Sequence, residues 1–203
     1  KKFKLEVENE IDLNLFRSAS LLRQLLRCQS VLILFPGNQP NSLQLKIFDS
    51  ELTSIKPHTV FKESQGIVGR LLKPDVNRIL ENDLSVNSKI HYYSEEVEIK
   101  SLAAVPIIVN QKRNGAIVVD SAEEDAFDED IVQILQNFAH VIGSLCYRTY
   151  MDFEHLYQKE QFKALFEYQK KFLDKMSLKD IYLNMISYAK TTLPFDRITI
   201  FSV

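Results

Sequence analysis

The chain has 203 residues, 45% of them hydrophobic and 26% charged, a balance typical of globular proteins that excludes a wholly disordered or low-complexity chain. Its 25 lysines and arginines against 27 aspartates and glutamates give a net charge of -2, which argues against nucleic acid as a partner. No apolar run approaches the roughly 20 residues of a membrane-spanning helix, so no membrane segment is expected. Two cysteines, Cys28 and Cys146, are too few for a disulfide framework and favour a cytoplasmic location.

The first predicted element is a helix over residues 11–28, where apolar residues recur three and four positions apart. Its buried stripe is expected to contain Ile11, Leu15, Ala19, Leu22 and either Leu25 or Leu26. Residues 1–10 alternate only weakly, and they leave a strand and the frayed start of a helix as open alternatives.

The next segments predict a hairpin. Residues 30–35 (SVLILF) form an apolar run ended by Pro36 and Gly37, which is typical of a strand buried on both faces. Residues 43–47 then alternate apolar and polar side chains, which indicates a half-buried partner strand.

A second hairpin is predicted from residues 101–110 and 115–121, two runs rich in β-branched and apolar residues. Its turn is expected over residues 111–115, because the Asn114–Gly115 step tolerates positive φ. Pro106 conflicts with this prediction, since proline inside a strand ordinarily marks an edge or a bulge.

Between the hairpins, residues 62–100 contain glycines, Pro74 and only short apolar runs. A connection of this length is commonly functional, so any ligand site is expected here. The Gly66–Gly69 step lacks the following lysine and hydroxyl residue of a phosphate-binding loop, which favours a tight turn that opens a short helix.

A long helix is predicted to begin at Asp128, where acidic residues suit the helix dipole and Phe127 offers a hydrophobic staple to Val132. Apolar residues then recur every three or four positions, at Ile131, Leu135, Phe138, Ile142 and Leu145, which is typical of a coiled-coil seam or of a helix packed on a sheet. A second stripe starts at Phe162. Because residues 128–176 exceed what one domain face buries, we expect a parallel homodimer along this helix, with Ile142 and Leu145 near the seam.

Ser177 is expected to cap a further helix ending at Leu193–Pro194, and residues 197–203 (RITIFSV) have the composition of a strand. This helix-then-strand order repeats that of residues 11–35. The predicted organisation is therefore one domain over residues 1–150, a helical linker over 151–176 and the truncated start of a second copy over 177–203, in a fragment of a longer protein.

Taken in order, these segments resemble the successive blocks of a GAF domain. The blocks are Gly66–Gly69 (GIVG), residues 76–80 (VNRIL) leading to Asp83–Ser85, residues 101–107 (SLAAVPI), residues 115–120 (GAIVVD) and residues 127–130 (FDED). The similarity covers roughly residues 11–150, and residues 193–197 (LPFDR) are similar to the entry of a second such domain.

The resemblance implies an α+β fold with a central antiparallel sheet of about six strands and helices on both faces, the first and last helices packed together on one of them. It places a small-molecule pocket on the other face, under residues 62–100. It also accounts for Pro106, since a Val-Pro-Ile or similar step is usual in that strand of the family.

GAF domains are sensory and regulatory modules, so the resemblance implies a cytoplasmic domain that binds a small molecule and signals through a dimeric helix to an output domain outside this chain. The alternative is a ligand-free structural dimerisation module. Ligand contacts are expected from the polar groups of the connection and the adjoining strand: Arg78, Asp83, His91, Tyr92 and Ser101. Asp83 matches the family's usual Asp after the short strand.

The identity of a ligand or cofactor stays unknown. The Asn-Lys, Phe and Asp-Glu signature of cyclic-nucleotide-binding members is broken here, since Asn110 and Lys112 are not adjacent and Phe127 runs directly into Asp128. Bilin attachment and the family's methionine sulfoxide reductases need cysteines near the pocket, where neither cysteine is expected. No metal site is expected, because the stretch from Glu123 to Asp130 lacks the pattern of a calcium loop. These departures predict that the chain is not an enzyme.

Overall fold

The structure, a computed structural model, describes residues 2–63, 65–84, 90–173 and 177–192. The chain divides into two compact units, Lys1–Met151 and Asp152–Val203. The first unit contains a β-sheet with the helices that pack on it. The second contains only helical segments among its described residues.

Regular structure begins with helix α1 (Lys2–Leu26), so the open alternative at the start of the chain is settled in favour of a helix for residues 2–10. Six strands and a 3-10 helix follow, and then two more helices. They are β1 (Ser30–Pro36), β2 (Ser42–Ser50), β3 (Val60–Lys62), the 3-10 helix (Val68–Leu72), β4 (Ile79–Glu81), β5 (Ser101–Val109), β6 (Lys112–Ser121), α2 (Glu129–Leu173) and α3 (Leu178–Thr192).

The six strands form one antiparallel sheet in the order β3-β2-β1-β6-β5-β4. Both predicted hairpins, β1–β2 and β5–β6, are confirmed. The hairpins join through the pairing of β1 with β6, in which Ile33 lies opposite Ile117. The fold is therefore α+β, with the strand number that the sequence predicted.

The turn of the second hairpin is displaced from its predicted position. Asn110 and Gln111 form it with φ of 49° and 62°, the left-handed pair that a two-residue hairpin turn requires. Gly115 lies inside β6, where a Cβ would come within 2.3 Å of the Leu34 carbonyl oxygen. The glycine is thus needed for the close approach of β1, and the turn prediction at Asn114–Gly115 is wrong.

Pro106 occupies a position that has a strand neighbour on one side only. It lies opposite Ala116 of β6, whereas β4 pairs with β5 only from Leu102 to Ala104. Beyond Ala104, β5 is locally an edge strand, and an edge tolerates the missing proline N–H.

The sheet has two covered faces. The helix face carries α1 and α2, whose apolar stripes pack on alternate strand residues such as Ile33 and Ile117. In α1 the predicted stripe is confirmed by Leu15, Ala19 and Leu22, each at most 1% exposed. Of the two alternatives at its end, Leu26 packs on this core and Leu25 is 57% exposed.

Residues 62–100 are called the crossing segment below, and their described part covers the opposite face of the sheet, which we call the crossing face. The crossing segment contributes the 3-10 helix and the short strand β4, and its other described residues form turns and extended stretches. Gly66, with φ of 66°, lies in the predicted tight turn just before the 3-10 helix.

Helix α2 begins as predicted. The Asp128 carboxylate accepts a hydrogen bond from the Ile131 N–H at 2.9 Å, which caps the helix start. Phe127 and Val132 are both 2% exposed and belong to the same core cluster, consistent with a hydrophobic staple.

The position predicted for the dimer seam needs correction at Ile142. This side chain is 1% exposed and packs within the helix-face core, so it has no surface left for a second copy of the chain. Leu145 is half-buried, whereas Val141, the residue before Ile142, is 62% exposed. Of the two interpretations that the periodicity left open, a coiled-coil seam and a helix packed on a sheet, the structure shows the second for Ile142.

In the second unit, Ser177 caps α3 through a reciprocal pair of hydrogen bonds. Its hydroxyl accepts from the Asp180 N–H at 3.3 Å, and the Asp180 carboxylate accepts from the Ser177 N–H at 3.1 Å. The Ser177 hydroxyl also lies 2.6 Å from the Asp180 carboxylate, and this hydrogen bond, followed by the one from the Ser177 N–H, holds the pKa of Asp180 below its ordinary value. The strand predicted over residues 197–203 lies outside the described residues.

Candidate functional site

The crossing face has an apolar floor with polar groups at one end. Leu32, Leu34, Leu102, Ala104 and Val118 form this floor and are all 0% exposed. Because strand side chains alternate, Ser30 of β1 and Asp120 of β6 extend the same face by two residues. Both are fully buried, so a carboxyl group and a hydroxyl group lie at the end of an otherwise hydrophobic surface.

Two consecutive tyrosines of the crossing segment donate hydrogen bonds to Asp120. The Tyr92 hydroxyl donates to Asp120 Oδ2 at 2.6 Å, and the Tyr93 hydroxyl donates to the same oxygen at 2.9 Å. The Tyr93 hydroxyl also lies 2.6 Å from the Ser30 hydroxyl, which in turn lies 2.7 Å from the hydroxyl of Ser50. We call these five residues the Asp120 network.

The local backbone holds the two tyrosines in place. Tyr93 forms an isolated antiparallel bridge with Ile55, and the Lys56 N–H donates to the Tyr92 carbonyl oxygen at 2.7 Å. The rings of Tyr92 and Tyr93 are tilted against each other with centroids 4.8 Å apart. Consecutive residues thus direct two hydroxyl groups at one carboxylate.

Burial dominates the electrostatics of the Asp120 network. It raises the pKa of Asp120 from 3.8 to about 6, although the hydrogen bonds from Tyr92, Tyr93 and Ser30 favour the charged form and act in the opposite direction. Burial and the neighbouring carboxylate likewise raise the pKa of both tyrosines above 10. Asp120 Oδ1 has no hydrogen-bond partner among the described residues, so the charged form is incompletely compensated.

Two of the predicted ligand residues, His91 and Tyr92, line a cavity between the sheet and the crossing segment. Phe61, Val68 and Leu102 contribute to its walls. Its volume is about 10 Å³, roughly the space of one water molecule. In this conformation, protein side chains fill the space beneath the described part of the crossing segment.

Asp83 borders a different space, an open cleft of about 890 Å³ beside residues 90–100. Glu95, Glu96, Glu98 and Glu124 give this cleft an acidic lining. Lys100 offsets part of that charge through contacts with Glu124 at 3.1 Å and Glu98 at 3.6 Å. Asp83 is exposed.

The other two predicted ligand residues have structural partners. Arg78 is exposed and forms an ion pair with Glu129, the first residue of α2. Ser101 is buried, and its hydroxyl donates to the Glu123 carbonyl oxygen at 2.7 Å and accepts from the Ala126 N–H at 3.2 Å. The five predicted residues therefore do not line one common space: only His91 and Tyr92 share a cavity.

The start of α2 is tied to the crossing segment at a second point. The Asn82 side-chain amide, just after β4, donates to the Phe127 carbonyl oxygen at 2.6 Å. Together with the Arg78–Glu129 ion pair, this bond connects the crossing segment directly to the residues that begin the long helix.

Sequence reasoning missed Asp120, Tyr93 and Ser30 as site residues. The sequence signal that could have found Asp120 was the alternation of side chains along β6. Ala116, Val118 and Asp120 are two residues apart and must share a face. A carboxylate in register with buried apolar residues needs hydroxyl or amide donors, and the Tyr92–Tyr93 pair supplied them.

Neither cysteine lies among the residues that line the cavity under the crossing segment. Burial raises the pKa of Cys28 to about 12, and burial also raises the pKa of Cys146. Within the described ranges, no group of three or more acidic, histidine or cysteine side chains is arranged to hold a metal ion. The described helices include none that is long and apolar enough to span a membrane.

A GAF domain family model matches residues 17–145, which covers the sheet, the last part of α1 and the first part of α2. The chain therefore belongs to the GAF domain family, whose members are sensory and regulatory modules of signalling proteins. No curated protein sequence matches the chain.

Solved structures share the fold at low sequence identity. The GAF domain of an Acinetobacter phosphoenolpyruvate-protein phosphotransferase matches with a TM-score of 0.58 at 15% identity, over 74% of this chain and 96% of that one. A type II free methionine-R-sulfoxide reductase from Thermoplasma acidophilum matches with 0.57 at 19% identity, over 70% and 96%. A methyl-accepting chemotaxis protein fragment matches with 0.55 at 21% identity, over 70% and 91%.

The prediction that this chain is not an enzyme is wrong as an inference from its fold. The Thermoplasma reductase has the same fold and is an enzyme, so a GAF-like sheet with a crossing segment is compatible with catalysis. At such low identity these similarities define the fold alone.

Proposed function

We propose that this GAF domain is a cytoplasmic sensor whose crossing segment responds to a small molecule and passes its movement to a dimeric α2. The observation that carries the proposal is that the segment is tied at two places. Tyr92 and Tyr93 bind the sheet through Asp120, and Arg78 and Asn82 bind the residues that begin α2. A segment held in this way transfers a displacement at the sheet to the start of the helix.

A ligand would enter where His91 and Tyr92 now line the small cavity. Since that cavity has room for about one water molecule, ligand binding requires the crossing segment to move away from the sheet. The other three predicted residues would then contact the ligand or support the moving segment. They are Arg78, Ser101 and Asp83, which borders the acidic cleft. The ligand state would differ from the described closed state in the position of residues 90–93.

Native mass spectrometry of freshly purified protein tests the ligand. We expect a non-covalent adduct that is lost on denaturation, and we expect its occupancy to fall in His91→Ala while an exposed control, His140→Ala on α2, retains it. The absence of any adduct, together with an unchanged thermal midpoint across a metabolite panel, would contradict small-molecule binding.

The dimer would use apolar side chains that the domain leaves exposed. Val141 is 62% exposed, and in the second unit Phe162 and Phe166 are 71% and 65% exposed. Phenylalanines at such exposure are costly in water and favour association. Leu145, which is half-buried, stays a candidate for the seam.

Light scattering at high protein concentration tests the dimer. The variant Phe162→Glu/Phe166→Glu should raise the dissociation constant at least tenfold, whereas Ile108→Glu, which replaces an exposed apolar residue of the β5–β6 hairpin, should leave it unchanged. A strictly monomeric wild-type chain would contradict the dimeric helix.

The alternative function is a structural dimerisation module without a ligand. The specific observation that favours it is the filled space under the crossing segment. The two functions separate in the adduct experiment, because a structural module keeps its dimer and never carries a ligand.

The domain organisation is part of the proposal. Residues 1–150 would be the GAF domain, 151–176 a helical linker, and 177–203 the start of a second GAF domain that leads toward an output domain. The capped start of α3 at Ser177 supports a new element there. Deletion of residues 177–203 should leave the first domain folded with an unchanged thermal midpoint, and a loss of several degrees would place this segment in the first domain's core.

A further inference from the structure

The crossing segment is hydrogen-bonded to a buried carboxylate that has no cationic partner among the described residues. Asp120 is 0% exposed, and Tyr92 and Tyr93 both donate to its Oδ2. Among the described residues, the buried Oδ1 has no hydrogen-bond partner, and no lysine, arginine or histidine forms an ion pair with Asp120. A proton is the simplest species that would relieve a buried carboxylate whose charge is only partly compensated.

We propose that Asp120 makes closure of the crossing segment proton-linked: the closed segment favours the protonated carboxyl group, and a rise in pH through the neutral range favours opening. This inference goes beyond the proposed ligand sensing, because the proton is itself the regulating species and no other ligand is required.

The direction follows from linkage. In the closed state, burial raises the pKa of Asp120 to about 6, whereas an open segment returns the carboxyl group to water and to a pKa near its ordinary 3.8. The state that binds the proton more tightly is favoured at low pH. Between pH 5 and pH 7.5, the opening equilibrium constant should therefore rise about tenfold.

Other titratable groups around Asp120 stay neutral over this range. Tyr92 and Tyr93, from the crossing segment, have pKa values above 10 because of burial and the nearby carboxylate. Cys28, which precedes β1, has a pKa of about 12 from burial and the charge of Asp120. Ser30 and Ser50 complete the network and do not titrate.

Two carboxylates flank Ser50 of the network in the sequence. They are Asp49 and Glu51, and both pair with Arg23 of α1, at 2.8 Å and 2.9 Å.

Amide hydrogen exchange on the full chain tests the proposal, because two amides report directly on the closed segment. The Lys56 N–H donates to the Tyr92 carbonyl oxygen, and the Ser94 N–H donates to the Ser54 carbonyl oxygen, each at 2.7 Å. After correction for intrinsic exchange, the opening constant of both amides should rise about tenfold from pH 5 to pH 7.5.

Two variants assign the effect to its residue. Asp120→Asn keeps one oxygen for the tyrosine hydroxyls but cannot titrate, so its opening constant should not change with pH. His91→Gln removes the neighbouring histidine, a residue type that ordinarily titrates near 6.5, and should keep the tenfold change. A carbon NMR titration of the Asp120 carboxyl in the wild-type chain should show a midpoint well above 3.8, even if Asp120→Asn does not fold.

Three results would overturn the proposal. They are a pH-independent opening constant in the wild-type chain, a pH dependence that disappears in His91→Gln, and exchange of the Lys56 and Ser94 amides at the rate of the β1 amides. The last result would mean that the crossing segment opens only when the whole domain unfolds.

Discussion

The two faces of the sheet are formed by the same strands but bury different kinds of side chain. The helix face buries an apolar cluster, in which α1 and α2 cover residues such as Val31 and Ile117. The crossing face buries an apolar floor as well, but it also encloses Asp120 and Ser30 under a segment with little regular structure. The comparison teaches that both faces bury an apolar cluster, while only the crossing face also accepts a costly buried carboxylate, at the place where movement is proposed.

The largest expected effect tests the helix face. Leu135 of α2 is 0% exposed, so Leu135→Ala should lower the free energy of unfolding by about 2 to 5 kcal/mol through lost transfer energy and a residual cavity. Val141→Ala, on the exposed side of the same helix, should cost less than about 1 kcal/mol. Urea denaturation measures both. Equal losses would mean that packing of Leu135 against the sheet does not stabilise the domain.

The second effect is a pH dependence that belongs to the crossing face. The pKa of Asp120 is raised above its unfolded value, so its contribution to stability is fully present below pH 3.8 and is lost as the pH rises through about 6. From pH 4 to pH 8 the wild-type chain should lose about 2 to 3 kcal/mol relative to Asp120→Asn. Denaturation of the two proteins at both pH values gives the difference. A constant difference would show that Asp120 has the same pKa in the folded and unfolded chains.

The two faces also differ in how far sequence could predict them. Periodicity correctly predicted that Leu15, Ala19 and Leu22 are buried, because an amphipathic helix buries its one apolar stripe. Ile142 was assigned to a partner because periodicity shows that a side is buried, not what covers it. The tie between Asp120 and Tyr92 is a contact between residues 28 positions apart, and only the course of the crossing segment brings them together.

Patterns of residues likewise left the exact turns undetermined. The Asn114–Gly115 step carries the composition of a hairpin turn, yet Gly115 is used for its lack of a side chain beside Leu34. Asn110 and Gln111 form the turn instead, since asparagine tolerates the left-handed conformation and the strand register fixes the loop at two residues. Local composition could not separate these two uses of glycine.

A third prediction compares one substitution on both faces. A Cβ at Gly69, in the 3-10 helix of the crossing segment, would lie 2.0 Å from the Lys62 carbonyl oxygen, and backbone cannot yield cheaply. A Cβ at Gly143 of α2 would instead meet the Val109 and Ile107 side-chain methyls at 3.0 and 3.1 Å, and alanine improves helix propensity. Gly69→Ala should therefore cost about 1 to 3 kcal/mol and Gly143→Ala less than about 1 kcal/mol. Thermal denaturation measures the loss of stability in both variants. A larger loss in Gly143→Ala than in Gly69→Ala would contradict the close approach at Gly69.

The smallest expected effect concerns the point where the two faces meet. Asn82 follows β4, and its side-chain amide donates to the Phe127 carbonyl oxygen at 2.6 Å, while its own buried Oδ1 has no partner in the described part of the chain. Asn82→Ala removes the bond but also the unpartnered oxygen, so the net cost in unfolding free energy should be only about 1 kcal/mol. The local effect should be larger than the global one, because the carbonyl before α2 loses its donor.

Amide exchange resolves that local effect. In Asn82→Ala, protection of the Val132 N–H, which donates to the Asp128 carbonyl oxygen in the first turn of α2, should fall several-fold, whereas the Ser94 amide keeps its protection because the Asp120 network is intact. Asn137→Ala, an exposed change on α2, serves as the matched control and should alter neither amide. If protection of the first turn stays constant in Asn82→Ala, the crossing segment is not coupled to α2 through this bond, and the Arg78–Glu129 ion pair is left as the described side-chain link between them.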